Sequence, residues 1–337
     1  MIYATFIYKK HKKNESFGAA STGNPYAELR RQFLAAGVEL NTADLNKGRK
    51  VCFEFHLNAQ RRDSGIRSYV HLAENPLVRP LNRQSLFLAQ YTKIFTWDAA
   101  IHGDQRTVPL FLPNDIKPNF FNDFNSRPLF LVLVAGNNAF TVLDERSQLP
   151  VRVEIINWYE QNAPSDFYLF GRGWNRPPAL PGNLGRIRNQ FQKFIARFLP
   201  IWSPFKTWRG PVQNKDELLQ KARFYIAHEN CRDLPGYITE KIFDCFRAGC
   251  VPVYVGPKEI HDFIPKECFI DGRRFNCPAE MDAFLRTIDD EVYRGYQKSI
   301  REFLLSGKAR PFSQEHFAET IVKTILADLA ANNLLRD

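Results

Sequence analysis

Residues 223–257 restrict the fold of this 337-residue chain more than any other stretch. An apolar run at 224–227 leads into a polar turn at 228–236. A helical pattern at 238–248 follows, closed by Gly249, and gives way to a second apolar run, Val251–Val255. Two short β-rich runs joined through a helix require a crossover rather than a hairpin, so the segment reads as a parallel βαβ unit. The helix start then falls at the carboxyl edge of the sheet, where open α/β folds bind ligands. Its unpaired N–H groups and positive dipole end suit phosphate. Thr239, Glu240 and Lys241 lie in or near that first turn. Lys241 adds a full charge, and each charged hydrogen bond to phosphate contributes about 1.5–3 kcal/mol. Glu240 points in another direction on the helix and suits ribose hydroxyls. On chemistry alone, an ordinary solvated helix start fits Glu240 and Lys241 equally well.

The same alternation runs through the rest of the chain. Strands are expected at 2–8, 68–73, 128–135 and 166–170, and helices at 26–36, 152–161, 279–288, 291–305 and 315–331. Continuous Val, Leu, Ile and Phe runs such as 129–134 suit strands buried on both faces, which points to parallel sheets in α/β layers. The length implies two domains of roughly 100–200 residues each. Turn residues between 135 and 151 place the boundary there, giving domains 1–148 and 149–337. Pro177, Pro178, Pro181 and Gly182 mark a loop within the second. The last helix carries Phe317, Ile321, Val322, Ile325, Leu326 and Leu329 on one face and is expected to pack back on the protein. A membrane-surface role would want a basic polar face, and from Ser313 onward only Lys323 and Arg336 are positive.

A net charge of +10 favours anionic partners. The cluster Lys9, Lys10, Lys12 and Lys13 reads as a solvated loop, and no basic and aromatic residues gather into a nucleic-acid module, so no nucleic-acid partner is expected. The six cysteines form no C-x-x-C pair and are expected as buried thiols. Met1 leads directly into a strand pattern rather than a signal peptide, and the longest apolar stretch, 128–136, is about half a membrane span. The chain as given is expected to be soluble.

Glu229-Asn230, Tyr237-Ile-Thr-Glu-Lys241, Val251-Pro-Val-Tyr-Val-Gly-Pro257 and Phe263-Ile-Pro-Lys-Glu-Cys-Phe-Ile-Asp271 follow one another in order. Together they resemble the donor-site signature of the α-1,3-fucosyltransferases, inverting GDP-fucose-dependent enzymes. Asn157-Trp-Tyr-Glu160, Asp166-Phe-Tyr-Leu-Phe-Gly-Arg-Gly-Trp174 and the preceding Arg152 resemble further family elements, and His71-Leu-Ala-Glu-Asn-Pro76 resembles its Glu-x-Pro element. The resemblance implies a GT-B fold of two Rossmann-like domains facing a cleft, with the donor bound by the C-terminal one. It implies Glu74 as catalytic base, Arg152 and Lys241 as diphosphate ligands, Tyr237 in the nucleotide pocket and Glu240 on ribose. Asn230 would meet a phosphate or fucose oxygen, Thr239 the donor, and Glu229 the sugar.

It further implies an acceptor glycan containing N-acetylglucosamine. Family members of the secretory pathway carry an N-terminal anchor, so a bacterial cytoplasmic enzyme, with possible peripheral contact with the inner membrane, is expected. No Asp-x-Asp occurs, so no obligatory metal is expected. Two features depart from the pattern: His228 stands where the family usually has Phe, read as a packing histidine, and the turn 230–237 is longer.

Overall fold

The computed structural model describes residues 2–8, 11–18, 23–61, 64–118, 123–140, 142–198 and 204–334. Lys9, Lys10 and Arg336 lie outside the described residues. Two compact units emerge, both discontinuous in sequence: Met1–Asp115, Pro235–Thr239 and Ala309–Asp337 form the first, Ile116–Leu234 and Glu240–Lys308 the second.

The first unit is built on six parallel strands: β1 (Ile2–Ile7), β2 (Val38–Thr42), β3 (Val51–Leu57), β4 (Arg67–Leu72), β5 (Lys93–Thr96) and β6 (Thr107–Pro109), in the order β2-β1-β3-β4-β5-β6. Helix α1 (Pro25–Ala35) crosses from β1 to β2, and the single turn α2 (Ser85–Leu88) precedes β5. Asn24 starts α1 by accepting from the N–H groups of Tyr26 and Ala27, with Pro25 at the first helical position, where no N–H is missed.

The second unit has five parallel strands, β7 (Leu129–Val134), β8 (Phe167–Phe170), β9 (Ala222–His228), β10 (Val251–Val255) and β11 (Ile270–Asp271), in the order β11-β10-β9-β7-β8. Its helices are α3 (Leu149–Asn162), α4 (Gly182–Phe198), α5 (Lys215–Gln220), α6 (Glu240–Ala248), α7 (Ile260–Phe263), α8 (Pro278–Arg286) and α9 (Asp290–Leu305). Fully buried Arg127 ties β9 to α6 by donating to the carbonyls of Leu219, Ala222 and Ala248 at 3.0, 2.9 and 2.8 Å. The Gly-Arg-Gly-Trp stretch turns and packs the chain. Gly171 has φ 125°, a Cβ there would fall 1.9 Å from the Ala135 carbonyl oxygen, and buried Trp174 donates its indole N–H to that oxygen at 2.7 Å.

Helix α10 (Gln314–Ala331) returns to the first unit, where Phe317, Ile321, Ile325 and Leu329 are buried in one core with Phe33, Phe53 and Tyr69. Arg67 grips Asp328 through two bonds of 2.6 Å, and the Tyr69 hydroxyl donates to the same carboxylate at 2.5 Å.

The α/β class and packing of the last helix agree with the sequence reading. The division at 148/149 does not. β7 pairs with β8 and β9 and so belongs to the second sheet, because a doubly buried apolar strand fits any parallel sheet equally well and only its partners decide. α10 covers the first sheet rather than the second. Of the cysteines, Cys231, Cys245, Cys250 and Cys268 are buried as expected, but Cys52 is half-buried and Cys277 exposed. Helix α4 is absent from the sequence reading, which marks a loop at Pro177, Pro178, Pro181 and Gly182.

Candidate functional site

Parallel pairing of β9 with β10, from Phe224 opposite Val251 to His228 opposite Val255, brings both carboxyl ends to one edge of the second sheet. Glu229 extends the ladder by donating its N–H to the Val255 carbonyl at 2.8 Å. Its carboxylate turns inward and is fully buried: one oxygen accepts from the Tyr254 hydroxyl at 3.2 Å, the other lies 3.3 Å from the Lys241 ammonium. Lys241, the second residue of α6, is therefore fixed from beneath by a buried charge. Glu240 beside it is 59% exposed, with a carboxylate oxygen 3.6 Å from the same ammonium. Such a pair orients its members more than it stabilises the fold, since desolvation opposes the attraction.

Arg152 sits in the first turn of α3, which opens with Pro150 near its start. Its buried guanidinium donates to the carbonyls of His228 and Glu229 at 2.5 and 2.9 Å and lies 3.3 Å from the Asn230 side-chain oxygen. Gln148, just before α3, donates its N–H to the Asn230 carbonyl at 3.1 Å. A cation inserted at the end of a strand satisfies carbonyls that have no further ladder partner. Arg152, expected as a diphosphate ligand, thus clamps the turn at 228–230.

His228 is buried, and neither ring nitrogen has a hydrogen-bond partner among the described residues. Burial, then the positive charges of Arg152 and Arg273, push its pKa down to about 3, so the ring is neutral at physiological pH. Arg273 at the same edge escaped the sequence reading. It donates to the Asp233 carboxylate at 3.1 Å and to the Gly256 carbonyl, joining the turn after β9 to the turn after β10. Its signal was the Gly-Arg-Arg directly after the block ending at Asp271.

The structure gathers Arg152, Glu229, Asn230, Glu240 and Lys241 in the second unit. Tyr237 and Thr239, both buried, belong to the first. The Tyr237 ring lies 4.6 Å from that of Trp97, and its hydroxyl accepts from Asn75 at 3.2 Å. Gly236 makes this approach possible: its φ is 80°, and a Cβ would lie 2.4 Å from the Trp97 carbonyl oxygen.

Glu74 also lies in the first unit, exposed, two residues beyond β4. Its backbone is held on both sides. The N–H donates to the buried Asn58 side chain at 2.9 Å, and the carbonyl accepts from buried Asn82 at 2.8 Å; the two asparagines bond each other at 2.9 Å. An ionisable side chain is thus presented to solvent from a rigid loop at the strand's carboxyl end. Nearby His71 is buried against Phe317, its Nδ1 3.0 Å from the Tyr26 hydroxyl, and burial lowers its pKa to about 3. Among the described residues no group of three His, Cys, Asp or Glu side chains is arranged to hold a metal ion. No described helix is long and apolar enough to cross a membrane.

A family model described as glycosyltransferase family 10 (fucosyltransferase), C-terminal part, matches residues 187–319. The 4-galactosyl-N-acetylglucosaminide 3-alpha-L-fucosyltransferase 9 of Mus musculus is 33% identical over 92 residues, which are 26% of this chain and 25% of that protein. An alpha-(1,4)-fucosyltransferase of Arabidopsis thaliana is 35% identical over 95 residues, 27% of this chain and 23% of its own length. The match thus spans only a quarter or less of these relatives. A crystal structure of an alpha1,3-fucosyltransferase aligns with a TM-score of 0.54 at 14% identity, covering 100% of this chain and 89% of that one. An alpha-glucosyltransferase solved with UDP-glucose and DNA aligns at 0.56 and 10%, covering 97% and 99%. The fold is that of the GT-B glycosyltransferases.

Proposed function

We propose, from the match of residues 187–319 to the glycosyltransferase family 10 (fucosyltransferase) model, that this chain is an inverting α-1,3-fucosyltransferase. It moves fucose from GDP-fucose to a hydroxyl of an N-acetylglucosamine-containing glycan. The observation that carries the reading is Lys241, held at the start of α6 by the buried Glu229 carboxylate 3.3 Å away, inside the Tyr237–Lys241 signature. The mouse relative's name, a galactosyl-N-acetylglucosaminide fucosyltransferase, supports the acceptor class. An alpha1,3-fucosyltransferase solved with GDP-fucose, of TM-score 0.50, supports the donor.

In this reading Glu74 takes the proton of the acceptor hydroxyl as the new bond to the fucose C1 forms and the bond from C1 to the diphosphate oxygen breaks. Lys241 and the N–H groups opening α6 receive the charge that develops on departing GDP, positions set before the reaction begins. Glu229 acts by holding Lys241 rather than by touching the sugar. Arg152 fixes the turn at 228–230 and adds positive charge behind it. Glu240 at the rim binds ribose, Tyr237 and Thr239 line the nucleotide pocket, and Asn230 donates its amide to a phosphate or fucose oxygen.

Because protein cations take the role of an Asp-x-Asp-bound ion, turnover is expected to persist in EDTA. Complete loss restored by manganese would count against the assignment. The reading includes a cytoplasmic place of action in glycan biosynthesis, which fractionation of the producing cell tests. A second reading, transfer from another nucleotide sugar, is favoured by the likeness to the UDP-glucose enzyme. The deciding experiment offers GDP-fucose and UDP-glucose separately with N-acetyllactosamine and analyses the product linkage. Binding and hydrolysis of UDP-glucose without either for GDP-fucose would sink the fucosyl reading.

A further inference from the structure

Helix α4 is amphipathic the wrong way round for a helix docked on its own protein. Leu184, Ile187, Phe191, Phe194, Ile195 and Phe198 recur at spacings of three and four, within an arc of about 100° on a helix of 3.6 residues per turn. In an ordinary surface helix that stripe meets the core. Here Leu184, Ile187, Phe191, Phe194 and Phe198 are each 61–85% exposed. The side turned to the protein is instead small and polar. Gly185 is buried with its Cα against Leu180, and Asn189 accepts from the Leu180 N–H at 3.0 Å and donates to its carbonyl at 2.8 Å. The apolar surface continues at Leu143, itself 75% exposed and adjoining Gly182.

Charge says what covers this stripe. Between Asp166 and Asp216 the sequence contains no carboxylate side chain and nine cations: Arg172, Arg176, Arg186, Arg188, Lys193, Arg197, Lys206, Arg209 and Lys215. That one stretch accounts for most of the chain's net +10. On α4 itself Arg188 is exposed at the edge of the apolar arc, and Arg186 and Lys193 are exposed further round the helix. Large aromatic and aliphatic side chains on one face, cations around them and no acidic residue describe a helix that lies in the interface of a negatively charged bilayer. Helix α10 offers the contrast: its apolar face is buried in the first unit's core, and it lacks a basic face.

We propose that α4 docks this protein onto an anionic lipid bilayer, its six apolar side chains entering the acyl boundary while Arg188 beside them, and the longer reach of Arg186 and Lys193 from further round the helix, meet phosphate headgroups. The proposal rests on α4 alone and is independent of the donor. The test is flotation of the full chain with vesicles of phosphatidylcholine, with and without one third phosphatidylglycerol, at low and high salt. The wild type is expected to float with the anionic vesicles and to detach as salt rises. Substituting R186Q, R188Q and K193Q together should weaken partitioning roughly 100-fold, from about fivefold per neutralised charge. F191S with F194S should abolish it, with unchanged circular dichroism and GDP affinity in both variants. Failure of the wild type to float, or equal binding to uncharged vesicles, overturns the proposal. So does a wild-type dimer on gel filtration that F191S/F194S converts to monomer, because a second copy of the chain would then be what covers the stripe.

Discussion

Replacing Lys241 by alanine should injure the protein in two separable ways. The ammonium lies 3.3 Å from a Glu229 carboxylate that is fully buried. Removing one partner of a buried pair leaves the other's desolvation uncompensated, a loss of roughly 3–5 kcal/mol. The same ammonium, on the proposed mechanism, contributes a charged hydrogen bond to GDP worth about 1.5–3 kcal/mol, which corresponds to roughly 10- to 150-fold weaker binding. A second substitution, Glu229→Gln, distinguishes the two. The amide oxygen still accepts from the Tyr254 hydroxyl, 3.2 Å away in the native protein, without a buried charge. Lys241→Ala with Glu229→Gln should therefore recover most of the stability and none of the GDP affinity. Urea unfolding at neutral pH reads the first effect, and calorimetric titration with GDP, at a temperature where all variants are folded, reads the second. If the single variant binds GDP as tightly as the wild type, Lys241 is not a nucleotide ligand. If the double variant regains affinity, Lys241 acts only by neutralising Glu229, and the reasoning about the leaving group fails.

Glu74→Gln should lower transfer by about 10²–10⁴-fold while GDP affinity stays unchanged, and near-normal turnover in a fucosyltransferase assay would refute it as base. His228 has its pKa lowered to about 3 in the fold against about 6.5 unfolded. The unfolded chain therefore binds more protons between those values, so the stability contributed above pH 6.5 is lost as pH falls towards 3, by up to about 1.4 kcal/mol per unit. His228→Phe should flatten that part of the profile in denaturant titrations at pH 7 and 4.5, and an unaltered slope would show that the ring does not titrate this way. Gly171→Ala must clear 1.9 Å to the Ala135 oxygen at φ 125°, and is expected to lower the thermal midpoint sharply; a midpoint equal to wild type would mean the turn yields freely.

Local patterns carried the βαβ unit almost to the residue, because each of its runs announces itself: apolar at 224–227, closed by Gly249, apolar again from Val251. The start of α6 at Glu240 rather than at 238 follows from Gly236 and Tyr237 being drawn against Trp97, more than a hundred positions earlier. The same distance hides which unit owns a segment. Nothing in Leu129–Val134 says whether its partners are β5 or β9, and the stripe on α10 does not name the sheet it covers. The sequence marks Arg152 as a candidate site residue but not as a clamp on the His228 and Glu229 carbonyls, and shows Glu229 in the motif but not as a buried counter-charge. Spacing places a side chain on a face; it does not show which groups it finds there. α4 begins at Gly182, directly after Pro177, Pro178 and Pro181, so the turn signals of the loop run into its first turn.

Arg67 is answered by Asp328, 261 positions later. As a ribosome extends the chain, β1 to β6 emerge with the Phe and Tyr side chains of one face only partly covered by α1, and the rest of that face stays open until α10 has been synthesised. The second unit, encoded mostly in between, is complete at Lys308, before α10 begins. Birth order and maturation order are thus reversed. The earliest-made sheet is the last to be sealed, and until then it is the part of the nascent protein that most needs shelter from aggregation.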